Sequence, residues 1–276
     1  MQRLWGIIAL LVLWQAGSMA VHSPLFSSPL IVAPVLVEML VSGELVHHAS
    51  TSLVTISYGF ALASAIGFVL GILATQCKPV RLALMPVVDS VRPIAALTLF
   101  PLLILLLGLG IGSKVFVIFW TAWPAVLLNT MHGLDTVDVS VQEAAQLDGA
   151  SRWQLLRYIL LPLSLPAIVT GLRIGLSGGW ISLVSAEMLG ASAGLGYSIL
   201  SYSQTFRFPA MYAVIVTIAF LGLLMNISLS WLQNYVDHER IDRHNESPFL
   251  QYNHRSAAWA SYSRLYAFRR SSPSRS

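Results

Sequence analysis

The sequence predicts an all-α membrane protein, a single bundle of six helices. Two observations carry that reading. The 276-residue chain is 56% hydrophobic and only 10% charged, whereas soluble domains carry about a quarter charged residues. Its apolar residues fall into six runs, roughly 4–20, 52–75, 94–110, 115–134, 163–188 and 210–233. Most come near the ~20 residues that cross the hydrocarbon as a helix, and a helix satisfies every backbone polar group within lipid. A third observation orients the bundle. If the runs alternate direction, Arg3, Lys78, Arg81, Arg92, Arg152, Arg157 and the arginines from Arg240 to Arg275 share one side, and the other side keeps only Lys114 and Arg207. That bias places both termini, and the segment 138–162, in the cytoplasm.

Taken in order, the first run follows Arg3 and ends near Ser18-Met19-Ala20. It has the look of a secretory signal, but with five more spans behind it the reading is a retained anchor, 1–27, with the start of an external loop. The second run carries Gly67 and Gly71, spaced by four. The third is short and contains Pro101, so it must lean on its neighbours for backbone partners. The fifth carries Gly171, Gly175 and Gly179, again spaced by four. Such faces let helix backbones approach closely in lipid and are assigned to packing. Arg173 and Glu187 lie in or at the edge of the fifth run. An ionisable group there is a functional candidate, for the substrate path or its gate. The tail 237–276 is rich in Ser and Arg with aromatics interleaved. It is expected to be disordered and to add nothing, a plainer reading than attraction to anionic lipid or binding of nucleic acid. The single cysteine, Cys77, excludes an internal disulfide.

Segment 138–162 interrupts this oily chain with charge. Ser140-Val-Gln-Glu143 and Ser151-Arg-Trp-Gln154 both have the form of a capping box. Gly149 stands between them, where a helix can end in a left-handed conformation. Leu161-Pro162 is expected to break or kink the second helix at the membrane. The segment therefore reads as helix, glycine corner, helix, proline: a folded knuckle rather than a loose loop.

Glu143-Ala144-Ala145, three residues, Gly149, nine residues, Ile159, one residue and Leu161-Pro162 resemble the signature of permease subunits of ABC importers. The stretches 92–114, 149–176 and 186–200 are similar to the subfamily that handles nitrate, taurine and aliphatic sulfonates. The resemblance covers about 28–236 and implies a type I importer permease, with five core spans plus an N-terminal one. It further implies that the knuckle docks a separate cytoplasmic ATPase, which holds ATP and Mg. An external binding protein would deliver substrate, and a second copy of the chain would complete the transporter. The location implied is the inner membrane, multi-pass. A permease for another small nutrient, such as a thiamin precursor, is the alternative within transport.

The chain is not expected to be an enzyme or to bind a cofactor. It has no Gly-x-x-x-x-Gly-Lys-Ser/Thr, and Gly108 to Lys114 has the wrong spacing for a phosphate loop. Gly175-Leu-Ser177-Gly178 has the form of a rhomboid-like protease nucleophile, yet the sixth run holds no histidine to serve as base. Glu44, His47 and His48 lack the further ligands of a zinc site.

Overall fold

In the computed structural model, residues 2–21 and 25–245 are described. They form eleven α-helices and, among the described residues, no strand. In chain order these are α1 (Gln2–Val21), α2 (Pro29–Val41), α3 (Glu44–Gln76), α4 (Lys78–Val91), α5 (Phe100–Leu107), α6 (Ile111–Asp135), α7 (Val139–Leu147), α8 (Arg152–Leu155), α9 (Leu161–Gly190), α10 (Leu195–Gln204) and α11 (Phe208–Asn245). A 3₁₀ turn, Ala96–Leu99, leads into α5, and a π turn, Leu156–Leu160, joins α8 to α9.

Four stretches are long and apolar enough to cross a membrane: Glu44–Gln76, Ile111–Asp135, Arg152–Gly190 and Phe208–Trp231. The run 94–110 is not one straight span. Its 3₁₀ turn and α5 pair with α4 across a bend of 81°, which together make a fifth crossing or a re-entrant unit. Pro93 marks the break: Arg92 is still helical and bonds back to the Val88 carbonyl, but Pro93 has no N–H to carry the ladder on. Pro101 sits in the first turn of α5, where its missing N–H is harmless. The run 4–20 falls in α1, a helix of 20 residues. The stretch between the first two apolar runs contains α2 and the start of α3. Gly43, at φ +80°, makes the tight turn between them.

The centre of the bundle is α6, held between α3 and α9. Glycine makes this possible. A Cβ at Gly67 would lie 2.8 Å from the Trp123 carbonyl oxygen, and one at Gly71 2.8 Å from Thr130 Cβ. From the other side, a Cβ at Gly171 would meet Asn129 Cβ at 2.6 Å, at Gly175 the Ala122 carbonyl oxygen at 3.1 Å, and at Gly179 Ile118 Cγ2 at 3.1 Å. Two glycine faces thus seat one helix from opposite sides, by van der Waals contact that hydrogens alone permit.

Residues 1–232 form one compact unit, and a second begins at Gln233. Within the second, α11 continues to Asn245, so positions 237–245 of the expected disordered tail are helical. Positions 246–276 lie outside the described residues.

Candidate functional site

The knuckle is built from caps. Helix α7 buries none of its nine residues. Its start is capped by Asp138, whose Oδ1 accepts the Ser140 N–H at 2.9 Å. This corrects the expected Ser140–Glu143 box. Ser140 is not the cap, because the Asp138 carboxylate two residues earlier is the stronger acceptor and starts the helix first. Glu143 is exposed, and its carboxylate has no hydrogen-bond partner among the described residues. The Ser140 N–H holds the Asp138 carboxyl below its ordinary carboxylate value. Gln142 Nε2 reaches back to the Val137 carbonyl at 3.0 Å.

Gly149 turns the chain at φ +86°, the left-handed region that glycine enters without a Cβ clash. The second cap has both bonds of a capping box. Gln154 N donates to Ser151 Oγ at 3.3 Å, and Ser151 N donates to Gln154 Oε1 at 2.8 Å. Pro162 does not break the helix that this cap begins. Leu161 N donates five residues back, to the Leu156 carbonyl. That wide π turn absorbs the proline's missing N–H and ring, and the helix runs on from Arg152 to Gly190. Of the break or kink expected at Leu161-Pro162, the break is corrected accordingly.

Beneath the knuckle lies a small core of Leu134, Val137, Leu155, Leu156 and Leu160. Ala145, Ile159 and Leu161 pack against it. Ala144 and Glu143 face outward. So do apolar side chains, with Leu147 88%, Val139 64% and Trp153 64% exposed. The result is a rigid, partly apolar protrusion, fixed from below and open above. Nearby, Arg81 on α4 pairs with Asp135 at the end of α6 at 2.9 Å.

Arg173 and Glu187 do not meet. Arg173 Nε donates to Asn226 Oδ1 on α11. Glu187 is fully buried, and its carboxylate accepts from Ser52 Oγ on α3 at 2.8 Å and from Gly196 N at 3.0 Å. Buried Lys114 supplies a positive charge at the same end. Asn226, Ser52 and Lys114 were not named as site residues from the sequence. Their contacts span 53 to 135 positions along the chain, so no local spacing advertises them. An unpaired charge in an apolar run was the signal that pointed to one member of each pair.

The model of the family "Binding-protein-dependent transport system inner membrane component" matches residues 63–241, which include the whole knuckle. The chain belongs to that family. It is therefore a multi-pass inner-membrane permease component of an ABC import system. It is 33% identical over 234 residues to the taurine transport system permease protein of Escherichia coli, covering 82% of this chain and 84% of that one. It is 32% identical over 236 residues to a putative aliphatic sulfonates transport permease protein of Bacillus subtilis, covering 82% and 86%. The backbone also superposes on an inward-facing structure of the MetNI methionine ABC transporter, with a TM-score of 0.59 at 21% identity. That match covers 67% of this chain and 92% of the other, and at that identity it speaks for the fold alone. The family match runs from within α3 to within α11, with α6 between them.

Proposed function

We propose that this permease carries a small oxyanion inward: an aliphatic sulfonate, taurine or nitrate. In this reading, ATPase subunits separate from this chain bind ATP and Mg and seat on the knuckle 138–162. A second copy of the chain completes the path, and an external binding protein loads it. Closure of the ATPases then moves two knuckles together and rocks the spans as rigid bodies.

The observation that carries this is α7 itself. A helix with no buried residue is nonetheless capped at its start, turned by a left-handed glycine and mounted on its own small core. Rigidity with an exposed apolar face suits a part that another protein pushes. The oxyanion class is supported by the two sulfonate-type relatives. The protease reading loses ground, because Ser177 Oγ donates to the Arg173 carbonyl at 2.9 Å rather than to a histidine.

The test is co-purification in mild detergent of the tagged chain, wild type beside Glu143→Lys, with taurine uptake measured in the same cells. We expect an ATPase with wild type. We expect the variant to insert normally yet lose the ATPase and at least about nine-tenths of uptake, since it reverses the charge on the exposed face that the ATPase would meet. Full uptake by Glu143→Lys would overturn the docking role of the knuckle.

A further inference from the structure

We propose that His48 is a proton-released catch at the outer end of the bundle. Neutral, it holds the start of α10 against α3. Protonated, it lets go, so the outer mouth answers to the pH outside, whatever the cargo.

Helix α10 has no cap of its own. Gly194 stands at its N-cap and brings no side chain, and a Cβ there would run into the Glu187 carboxylate. The first N–H groups of a helix find no acceptor within it and need one elsewhere. Here three consecutive ones find it across the fold. Gly194 N donates to His48 Nδ1 at 3.2 Å, Leu195 N to Ser52 Oγ at 2.9 Å and Gly196 N to Glu187 Oε2 at 3.0 Å. His48 and Ser52 stand four residues apart on α3, one turn along the same face. The knuckle lies beyond the opposite end of α9, so this borrowed cap is on the outer side.

The three acceptors respond differently to acid. A serine hydroxyl keeps its lone pairs at any mild pH. A carboxyl keeps an acceptor oxygen even after it takes up a proton. An imidazole does not, because both ring nitrogens of the charged form are donors. Nδ1–H would then face the Gly194 N–H, donor against donor. The positive end of the α10 dipole adds to that repulsion. Histidine is also the side chain whose ordinary charge change falls between about pH 5 and 8. His48 is half-buried, which leaves it within reach of solvent protons.

The charged and titratable groups around it act in both directions. On α3, Glu44 one turn earlier attracts a charge on the ring, and His47, 5.5 Å away between ring centroids, repels one. On α10, the Tyr197 ring stands 6.0 Å away. Tyr202 donates its hydroxyl to Glu44 and carries Arg207 over its ring. On α9, Glu187 accepts from Ser52 and Gly196, and Lys114 of α6 acts on it from the other side. Each carboxylate already serves a donor, which lessens what a charged His48 gains in exchange for Gly194.

The test is hydrogen exchange of the full-length chain, purified from membranes in mild detergent with whatever subunits it carries. Protection within 190–198 is compared at pH ~7.5 and pH ~5.5, on either side of the ordinary histidine value, after correction for intrinsic exchange rates. We expect a drop of roughly three- to tenfold at the lower pH, the worth of one hydrogen bond. Protection of α6 should hold. His48→Asn places an oxygen near the position of Nδ1 and cannot take up a proton, so its protection should stay level. His48→Gln serves the same purpose should that variant misfold. His47→Asn should keep the wild-type drop, because the loop is bonded to His48 and not to His47. No drop in wild type, a rise in acid, or a drop shared by α6 would each overturn the catch. So would a drop abolished by His47→Asn, or one that survives in the His48 variants and therefore belongs to Glu44 or Glu187. Exchange at this loop depends on neither the cargo nor the ATPase, so it stands or falls apart from the docking of the knuckle.

Discussion

Ser52 Oγ lies 2.8 and 2.9 Å from the two carboxylate oxygens of Glu187, across 135 residues of chain. The same oxygen accepts the N–H of Leu195 at 2.9 Å. One hydroxyl thus links α3, the outer end of α9 and the first residue of α10. Gly196 N closes the ring by donating to Glu187 at 3.0 Å.

Ser52→Ala would remove a donor from a buried carboxylate and orphan the Leu195 N–H. The expected loss is about 2–3 kcal/mol, read as a lowered thermal midpoint of the purified complex. Gly194→Ala should cost at least as much. Its φ is +126°, and a Cβ there would fall 2.4 Å from the Glu187 carboxylate. A midpoint unchanged in both variants would show that this ring does not hold the outer end together.

The glycine faces give a matched pair of substitutions. Gly171→Ala would press a methyl to 2.6 Å from Asn129 Cβ, with the Ala125 carbonyl oxygen at 3.1 Å behind it. Overpacking of that kind costs about 1–3 kcal/mol, and we expect poorer yield and a lower midpoint. Gly112→Ala, in the first turn of α6, meets nothing within 4 Å. It should be neutral or gain up to about 1 kcal/mol from helix propensity. Equal behaviour of the two variants would remove close packing as the reason for the glycines.

Much of this architecture could be read in the chain. Apolar run length located the long spans, and the spacing of Gly171, Gly175 and Gly179 showed a packing face before any partner was known. Two elements escaped. Helix α2 has 13 residues, too few to register as a crossing, and α4 with the 3₁₀ turn and α5 makes a pair of short helices bent at 81°, a broken crossing or a re-entrant unit. The knuckle was legible because caps and a left-handed glycine are local signals. Even so, Ser140-x-x-Glu143 and Asp138 competed for the same helix start, and pattern alone does not rank a hydroxyl against a carboxylate two residues away. Asn226 and Ser52 were hidden for a different reason. Their partners are assembled by packing, and only folding brings them together.

The rivalry at the start of α7 can be measured. Asp138→Ala should speed hydrogen exchange across 138–147, while Ser140→Ala should speed it less, because it keeps the backbone N–H that Asp138 accepts and loses only the lesser contribution of the hydroxyl. The acid side has a definite sign. The Asp138 carboxyl is held below its ordinary value by the Ser140 N–H. Its stabilisation is therefore complete above the ordinary Asp range and is lost as pH falls below that range, through the folded-state value. Asp138→Asn keeps an amide oxygen for the cap and should not show that acid-dependent loss. Faster exchange in Ser140→Ala than in Asp138→Ala would restore the serine as the cap.

Tyr202, at the far end of α10 from Gly194, gives a test at alkaline pH. Its hydroxyl donates to Glu44 Oε1 at the start of α3. Burial, and then the bond to Glu44, push the phenol above its ordinary value, while Arg207, 5.2 Å over the ring, pulls the other way without reversing it. A raised folded-state value means that the neutral phenol stabilises the fold. That contribution is complete below the unfolded value of about 10 and is lost as pH rises beyond it, through the folded-state value. Tyr202→Phe lacks the titrating group. The gap in thermal midpoint between wild type and Tyr202→Phe should therefore be constant at neutral pH and shrink above pH ~10. Phenolate absorbance provides the direct reading. In native protein, a late ionisation step belonging to Tyr202 should be seen, and it should be absent from Tyr202→Phe. A wild type in which every phenol titrates together would show that Tyr202 does not hold the start of α3 through Glu44 as a protonated donor.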